Sequence, residues 1–238
     1  MTSIRVVYTG CYFQAHYTGQ RVQQYQLKYE TITVDNTDFH IRSLRDRQQF
    51  YDHEQQAEAL GISSATWSLF GVVWPSSRVL AGTVSTLELE GKRVIEIGCG
   101  LALSSIVLHR MGVDITACDY HPLAEEFLVK NIKGNRLEPI KYQSGNWDSE
   151  NPLLGEFDMI IGSDVLYEPA QANTVSSFID RHSSRDVEVI IVDPNRGNRA
   201  CFTKKMQALG YVHHYESLAV EQPAQARFKG RVLHFQRH

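Results

Sequence analysis

From Lys92 to Ile97 the chain is a short, mostly apolar run. It enters Gly98-Cys-Gly100 and leaves at once into helical spacing at Leu103, Ile106, Val107 and Met111. A strand that turns through two glycines into a helix opens a βαβ unit, and such units are right-handed and build parallel sheets. The same rhythm continues. Val113-Asp-Ile-Thr-Ala-Cys118 reads as a second strand ending at Asp119, and a helix is expected over roughly 122–133, with Pro122 suited to its first turn. Further strands are expected near 139–142, 157–161 and 187–192. Helical stripes stand at Val79, Leu80, Val84 and Leu87, at Val175, Phe178, Ile179 and His182, and at Phe202, Met206 and Leu209. The last two strand segments, near 211–219 and 229–236, have no helix between them, so one of them should run antiparallel. The expectation is an α/β chain with a Rossmann-like, doubly wound sheet of seven strands, mostly parallel, with an antiparallel strand near its C-terminal end. Ligands of such sheets lie beyond the carboxyl ends of the strands, where strand order reverses.

Residues 1–60 read differently, as an N-terminal β-hairpin with a helical or loop extension ahead of a main domain over 61–238. Alternation begins at Tyr25-Gln-Leu-Lys-Tyr29 and changes phase near Thr31-Ile32, as at a β-bulge. It resumes at Phe39 and Ile41 after the turn residues Asp35-Asn36. Arg45 to Glu58, rich in Gln, Asp, Glu and Arg, reads as a solvated helix or ordered loop, and the hairpin is expected to help cover the site.

Mixed charge, net −3 over 238 residues, gives no block of Lys and Arg, which argues against a nucleic-acid partner. The cysteines Cys11, Cys99, Cys118 and Cys201 form no CxxC pair, and the ten histidines show no ligand spacing, so no metal site is expected. No GxSxG nucleophile turn occurs. No window is long and apolar enough to cross a bilayer, and Met1 is not followed by a basic and then an apolar stretch. A reducing cytoplasm is the plain expectation, with no membrane partner.

The chemistry concentrates at strand ends. Gly98 and Gly100 let the backbone approach a ligand, and Asp119 ends the next strand, where a carboxylate accepts hydrogen bonds from ribose hydroxyls. Together these point to an adenosine-containing cofactor. A dinucleotide site commonly carries a third glycine for its pyrophosphate, but Leu103 stands there. Glu96 adds a carboxylate just before the turn, which would repel pyrophosphate and suit a ligand bearing a sulfonium and an amino group. The balance favours S-adenosylmethionine (SAM).

Four segments make the chain resemble methyltransferase family 16, the seven-β-strand enzymes that are mostly protein-lysine methyltransferases, with nicotinamide N-methyltransferase-like bacterial relatives. They are Trp74-Pro75-Ser-Ser-Arg-Val-Leu-Ala, Glu96-Ile-Gly98-Cys-Gly100 with Asp119, Asn146-Trp147-Asp148, and Ser163-Asp164-Val-Leu-Tyr167. The resemblance covers about 70–237. It implies that Trp74, Glu96, Gly98, Gly100, Asp119, Asn146, Trp147 and Ser163 hold SAM, and that Asp164 and Tyr167 face the acceptor as catalytic residues. Read from the residues alone, Trp147 stacks on adenine or caps the edge of the core, and Asp164 orients an amine or caps a helix. Asp193-Pro-Asn-Arg196 is similar to a step in a bacterial branch that methylates lysines of electron-transfer flavoprotein. Its Asp193 and Arg196 either contact the acceptor or staple a turn.

The resemblance implies a lysine side chain of a protein as acceptor and S-adenosylhomocysteine as product. The alternatives are a small-molecule N-methyltransferase, a SAM-binding protein without turnover, and a nicotinamide-dependent dehydrogenase. An open acidic rim would favour a protein lysine, and a closed lid from residues 1–60 would favour a metabolite.

Overall fold

The computed structural model describes residues 25–218 and 228–238. Cys11 and the first 24 residues of the expected extension lie outside them. β1 (Leu27–Val34) and β2 (Thr37–Leu44) form a separate two-stranded hairpin; after it come α1 (Gln56–Ala59), a 3-10 turn (Trp67–Gly71) and α2 (Pro75–Val84). The alternating part is β3 (Arg93–Ile97), α3 (Leu103–Arg110), β4 (Asp114–Asp119), α4 (Ala124–Gly134), β5 (Lys141–Ser144), β6 (Phe157–Ser163), α5 (Gln171–His182) and β7 (Ser183–Asp193). The chain closes with α6 (Arg199–Ala208), β8 (Val212–Leu218) and β9 (Arg231–Arg237).

The main sheet has the order β5-β4-β3-β6-β7-β9-β8. Strands β3 to β7 are mutually parallel, and β9 runs antiparallel to both β7 and β8. The expected doubly wound sheet is therefore present, with its antiparallel strand second from the edge. Order reverses at β3: the chain moves outward to β4 and β5, then returns to lay β6 on the other side of β3. That switch point opens a crevice at the tips of β4, β3 and β6.

Alternation of side chains across the pleat divides the core. Val94, Met159, Ile161, Ile190 and Val192 pack beneath Leu80 and Val84 of α2 and Leu108 of α3. Ile95, Ile160, Val189 and Ile191 pack with Val175, Phe178 and Ile179 of α5 and with Phe202 and Met206 of α6. A third cluster joins the hairpin, through Ile32, Phe39 and Ile41, to Phe127, Leu128 and Ile132 of α4.

The hairpin pairs in unbroken register from Leu27↔Leu44 to Val34↔Thr37, so the bulge expected near Thr31-Ile32 is absent. The phase change in the sequence has another source. Ile32 and Val34 share the face of β1 that is buried, while Tyr29 lies on the opposite face and is exposed. Asp35 and Asn36 both take positive φ, 45° and 58°, as a tight two-residue hairpin turn requires. The third parallel strand lies at 141–144 and not 139–142, and the fourth helix begins at Ala124, with Pro122 in the turn before it.

Candidate active site

At the switch point lies a cleft of about 500 Å³, within the range of small-molecule sites. Gly98 and Gly100 turn the chain from β3 into α3 with φ of +57° and +54°. A Cβ on Gly98 would lie 3.0 Å from Val165 Cγ1 and 3.1 Å from the Trp147 ring; one on Gly100 would lie 2.8 Å from the carbonyl oxygen of Phe70. Both positions need glycine for conformation and for space.

Asp119, at the tip of neighbouring β4, accepts the Gly100 N–H on Oδ2 at 2.8 Å and the His121 N–H on Oδ1 at 2.9 Å. Burial raises its pKa above the ordinary carboxylate value. Each oxygen keeps a second lone pair for another donor. This geometry also weighs against a dinucleotide. Gly100 N–H is spent on Asp119 and Cys99 N–H on the Cys118 carbonyl at 3.0 Å, so these turn amides are not aimed at a pyrophosphate.

Trp74, Gly98, Gly100, Asp119, Trp147, Ser163, Asp164 and Tyr167 all line the cleft. Two expected residues do not. Glu96 is buried beneath the turn, where Oε2 accepts the Ser105 N–H at 2.8 Å and the Ser105 hydroxyl at 2.5 Å. Desolvation lifts its pKa to about 7, and its bonds to Ser105 anchor the start of α3 from beneath the turn. The pleat accounts for this: consecutive residues face opposite ways, and Glu96 lies two residues before the turn. Asn146 is exposed. It accepts the Asp148 N–H on its side chain at 3.2 Å and the Asn151 amide on its carbonyl at 3.0 Å, shaping the loop that carries Trp147.

Trp147 itself is half-buried beside Gly98, its carbonyl held by Arg181 at 2.8 Å. Trp74 caps α2, donates Nε1–H to the Leu69 carbonyl at 2.8 Å, and carries the Arg47 guanidinium 5.3 Å from its ring centre. Asp164 follows β6 in left-handed conformation, φ +54°, and binds Arg196 with both oxygens, at 2.9 and 2.7 Å. Arg196 therefore pairs with Asp164 across the strand tips. Asp193 is buried and accepts the Asn195 N–H at 3.0 Å within its own turn. Burial raises the phenols of both Tyr167 and Tyr120 above their ordinary value, so they stay protonated.

Several cleft residues carry no signal in the sequence. His121 stacks on Phe70 with ring centres 3.7 Å apart, and burial holds its pKa down at about 3, so it is neutral. Arg47, Thr66, Phe70 and Glu168 also line the cleft. The hairpin strands do not; the wall comes from Arg47 and the stretch between Ile62 and Ser77. The room that Gly100 leaves, read in the sequence as space for a ligand, is taken by the Phe70 carbonyl. Among the described residues, no cluster suits a metal ion and no helix is long and apolar enough to cross a membrane.

Strand order, glycine turn and cleft together define the Rossmann-like methyltransferase class. A solved structure of that class, magnesium protoporphyrin IX methyltransferase from Synechocystis with bound SAM, superposes with a TM-score of 0.55 at 17% identity, covering 80% of this chain and 86% of that one. Residues 54–208 match the family described as lysine methyltransferase, and the chain belongs to that family. Among its relatives is the protein N-lysine methyltransferase METTL21A of Danio rerio, 31% identical over 139 residues, which are 54% of this chain and 63% of that protein. The Xenopus tropicalis METTL21A is 27% identical over 167 residues, 65% of this chain and 76% of the relative. The first alignment thus spans less than two thirds of the relative's length.

Proposed function

We propose that this chain transfers a methyl group from SAM to a lysine side chain of a protein, leaving S-adenosylhomocysteine. One arrangement carries the reading. The Gly98–Gly100 turn of β3 lies between Asp119 at the tip of β4 and Ser163-Asp164 at the tip of β6, inside one cleft. The residues fit the cofactor. The free lone pairs of Asp119 would accept the ribose hydroxyls, Trp147 and Tyr120 would flank the base, and the turn backbone would pass beneath the ribose and methionine part. Bound SAM supplies a methyl group on a sulfonium, which needs no acid to leave.

The acceptor side then has two tasks, alignment and exclusion of water. A lysine of ordinary pKa, ~10.4, is only about 0.04% neutral at pH 7, so the site must favour the free amine. Arg47, resting on the Trp74 ring, stands at the mouth, and like charge disfavours an ammonium there. The Asp164 carboxylate, fixed from one side by Arg196, would accept a hydrogen bond from the amine and aim its lone pair. Tyr167, kept protonated by burial, would line the channel and is no base. The reading extends to a reducing, cytoplasmic compartment, supported by free thiols at Cys99, Cys118 and Cys201.

Methyl-labelled SAM incubated with the protein and fractionated lysate tests it. Label should become protease-sensitive and nuclease-resistant, and should appear as methyllysine after hydrolysis. Label confined to metabolites would replace this reading with small-molecule N-methylation, and stoichiometric SAM binding with no transfer would remove the enzyme altogether.

A further inference from the structure

Beside the cleft runs a second groove, of about 780 Å³, that shares Arg47, Val72, Val73, Trp74, Asp164 and Arg196 with it. Anything entering the cleft from this side crosses the groove. Its charged lining is lopsided, with Lys28, Arg45, Arg47, Arg196 and Lys229 against Asp46 and Asp164. Both acids are already engaged: Asp164 is held bidentately by Arg196, and Asp46 lies 3.6 Å from Arg45. Lys28 contacts Glu30 at 3.0 Å, but Glu30 also binds Arg78 at 2.7 Å, so that trio keeps a net positive charge. Arg47 rests on the Trp74 ring, which leaves its charge uncancelled. The unmatched charge on the described lining is thus that of the Lys28 trio, Arg47 and Lys229. It gathers on a chain whose formal charge is −3, so the rim runs against the molecular average. The rim is open and basic, the reverse of the acidic rim expected for a lysine acceptor.

From this we propose that the acceptor lysine is presented on an acidic stretch of polypeptide whose Asp and Glu residues lie along the Lys28–Arg47–Lys229 groove. The proposal rests on the lysine reading above and narrows its substrate class. A basic rim opposes entry of a lone ammonium, and carboxylates on both sides of the target lysine reverse that repulsion. The floor of Val72, Val73, Trp74 and Phe228 suits peptide backbone and aliphatic stems. A polynucleotide would meet the same charges, but three unmatched cations beside an apolar floor are few for a phosphate backbone.

The test uses the full chain with saturating SAM and three peptides of equal length, each with one central lysine. The flanks are Asp and Glu, Asn and Gln, or Arg. A fourth peptide, acidic with norleucine in place of lysine, is fluorescently labelled for binding in the presence of S-adenosylhomocysteine. The acidic lysine peptide should have a kcat/KM about tenfold above the neutral one, carried by KM, as expected for a few exposed ion pairs together. The preference should shrink in high salt, since the Debye length falls to ~3 Å at 1 M. The triple variant K28E/R45E/K229E should favour the Arg-flanked peptide while keeping its SAM affinity. Transfer to lysine with no flank preference, or a variant that behaves as wild type, would overturn the groove and leave the lysine reading standing. Binding of the norleucine peptide without transfer to any lysine would uphold the groove and remove the lysine acceptor. A single-stranded oligonucleotide that binds more tightly than the acidic peptide, or failure of all peptides both to bind and to accept methyl, would overturn both.

Discussion

Two aspartates at the strand tips on either side of β3 are given different work by their partners. Asp119 is buried and held by main-chain N–H groups. Asp164 sits at the mouth, paired with a guanidinium. Asp119→Ala should weaken SAM binding about tenfold or more, because hydrogen bonds to a charged acceptor are worth ~1.5–3 kcal/mol. Asp164→Asn, which keeps the shape and tolerates the left-handed backbone, should lower kcat while calorimetric SAM affinity stays within about twofold. Unchanged affinity in the first variant, or equal loss of both quantities in the second, would reverse these roles. Glu96 gives a prediction of another kind. Its folded pKa of about 7 lies above the unfolded value, so the native state keeps a proton that the unfolded chain releases. Its contribution to stability is therefore present at low pH and is lost as pH rises from about 4.5 to about 7, on the order of 3 kcal/mol. His121, held neutral at a pKa of about 3, acts in the opposite direction, gaining as pH rises towards 6.5. The comparison of Glu96→Gln with wild type isolates the carboxyl: in urea unfolding the variant should gain on wild type between pH 5 and 8. Parallel stability curves would show that Glu96 titrates alike in both states.

At the level of elements, the hairpin docks on α4 by matching periods. Asn131 accepts the Arg42 N–H at 2.7 Å and donates to the Arg42 carbonyl at 3.3 Å; Asn135 makes the same pair with His40, at 2.8 and 2.7 Å. Four residues along a helix advance 6 Å and two along a strand about 6.7 Å, so residues i and i+4 of one meet i and i+2 of the other. The outer edge of β2, otherwise a row of open N–H and C=O groups, is covered in this way. Asn131→Ala leaves a buried N–H without its partner and should cost about 1–3 kcal/mol, lowering Tm by several degrees. Amide exchange at Arg42 should accelerate beyond what the loss of global stability explains. An unaltered Tm would mean that water reaches this edge.

For the molecule as a whole, a cofactor bound only by the folded state must raise its stability. At a hundredfold excess over Kd the gain is about 2.7 kcal/mol, which in a chain of this size corresponds to roughly 5–10 °C in Tm. S-adenosylhomocysteine should produce that shift in thermal melts, and Asp119→Ala should reduce it at equal concentration. NAD should produce none; a larger shift with NAD would return the dehydrogenase reading.

The order of strands and helices, the Asp35-Asn36 turn, the glycine bend and Asp119 were legible in the sequence because each is written in periodicity or in turn chemistry within a few residues. Tertiary structure decided what each charged side chain touches. Arg196 pairs with Asp164 rather than Asp193 because β6 and β7 are neighbours and bring their tips together. Glu96 serves Ser105 because α3 returns over its strand, and His121 and Phe70 meet only because the 62–77 segment folds back onto the tip of β4. Those contacts join residues from nine to some fifty positions apart, across a turn or between elements, and the local pattern around either partner does not specify the other.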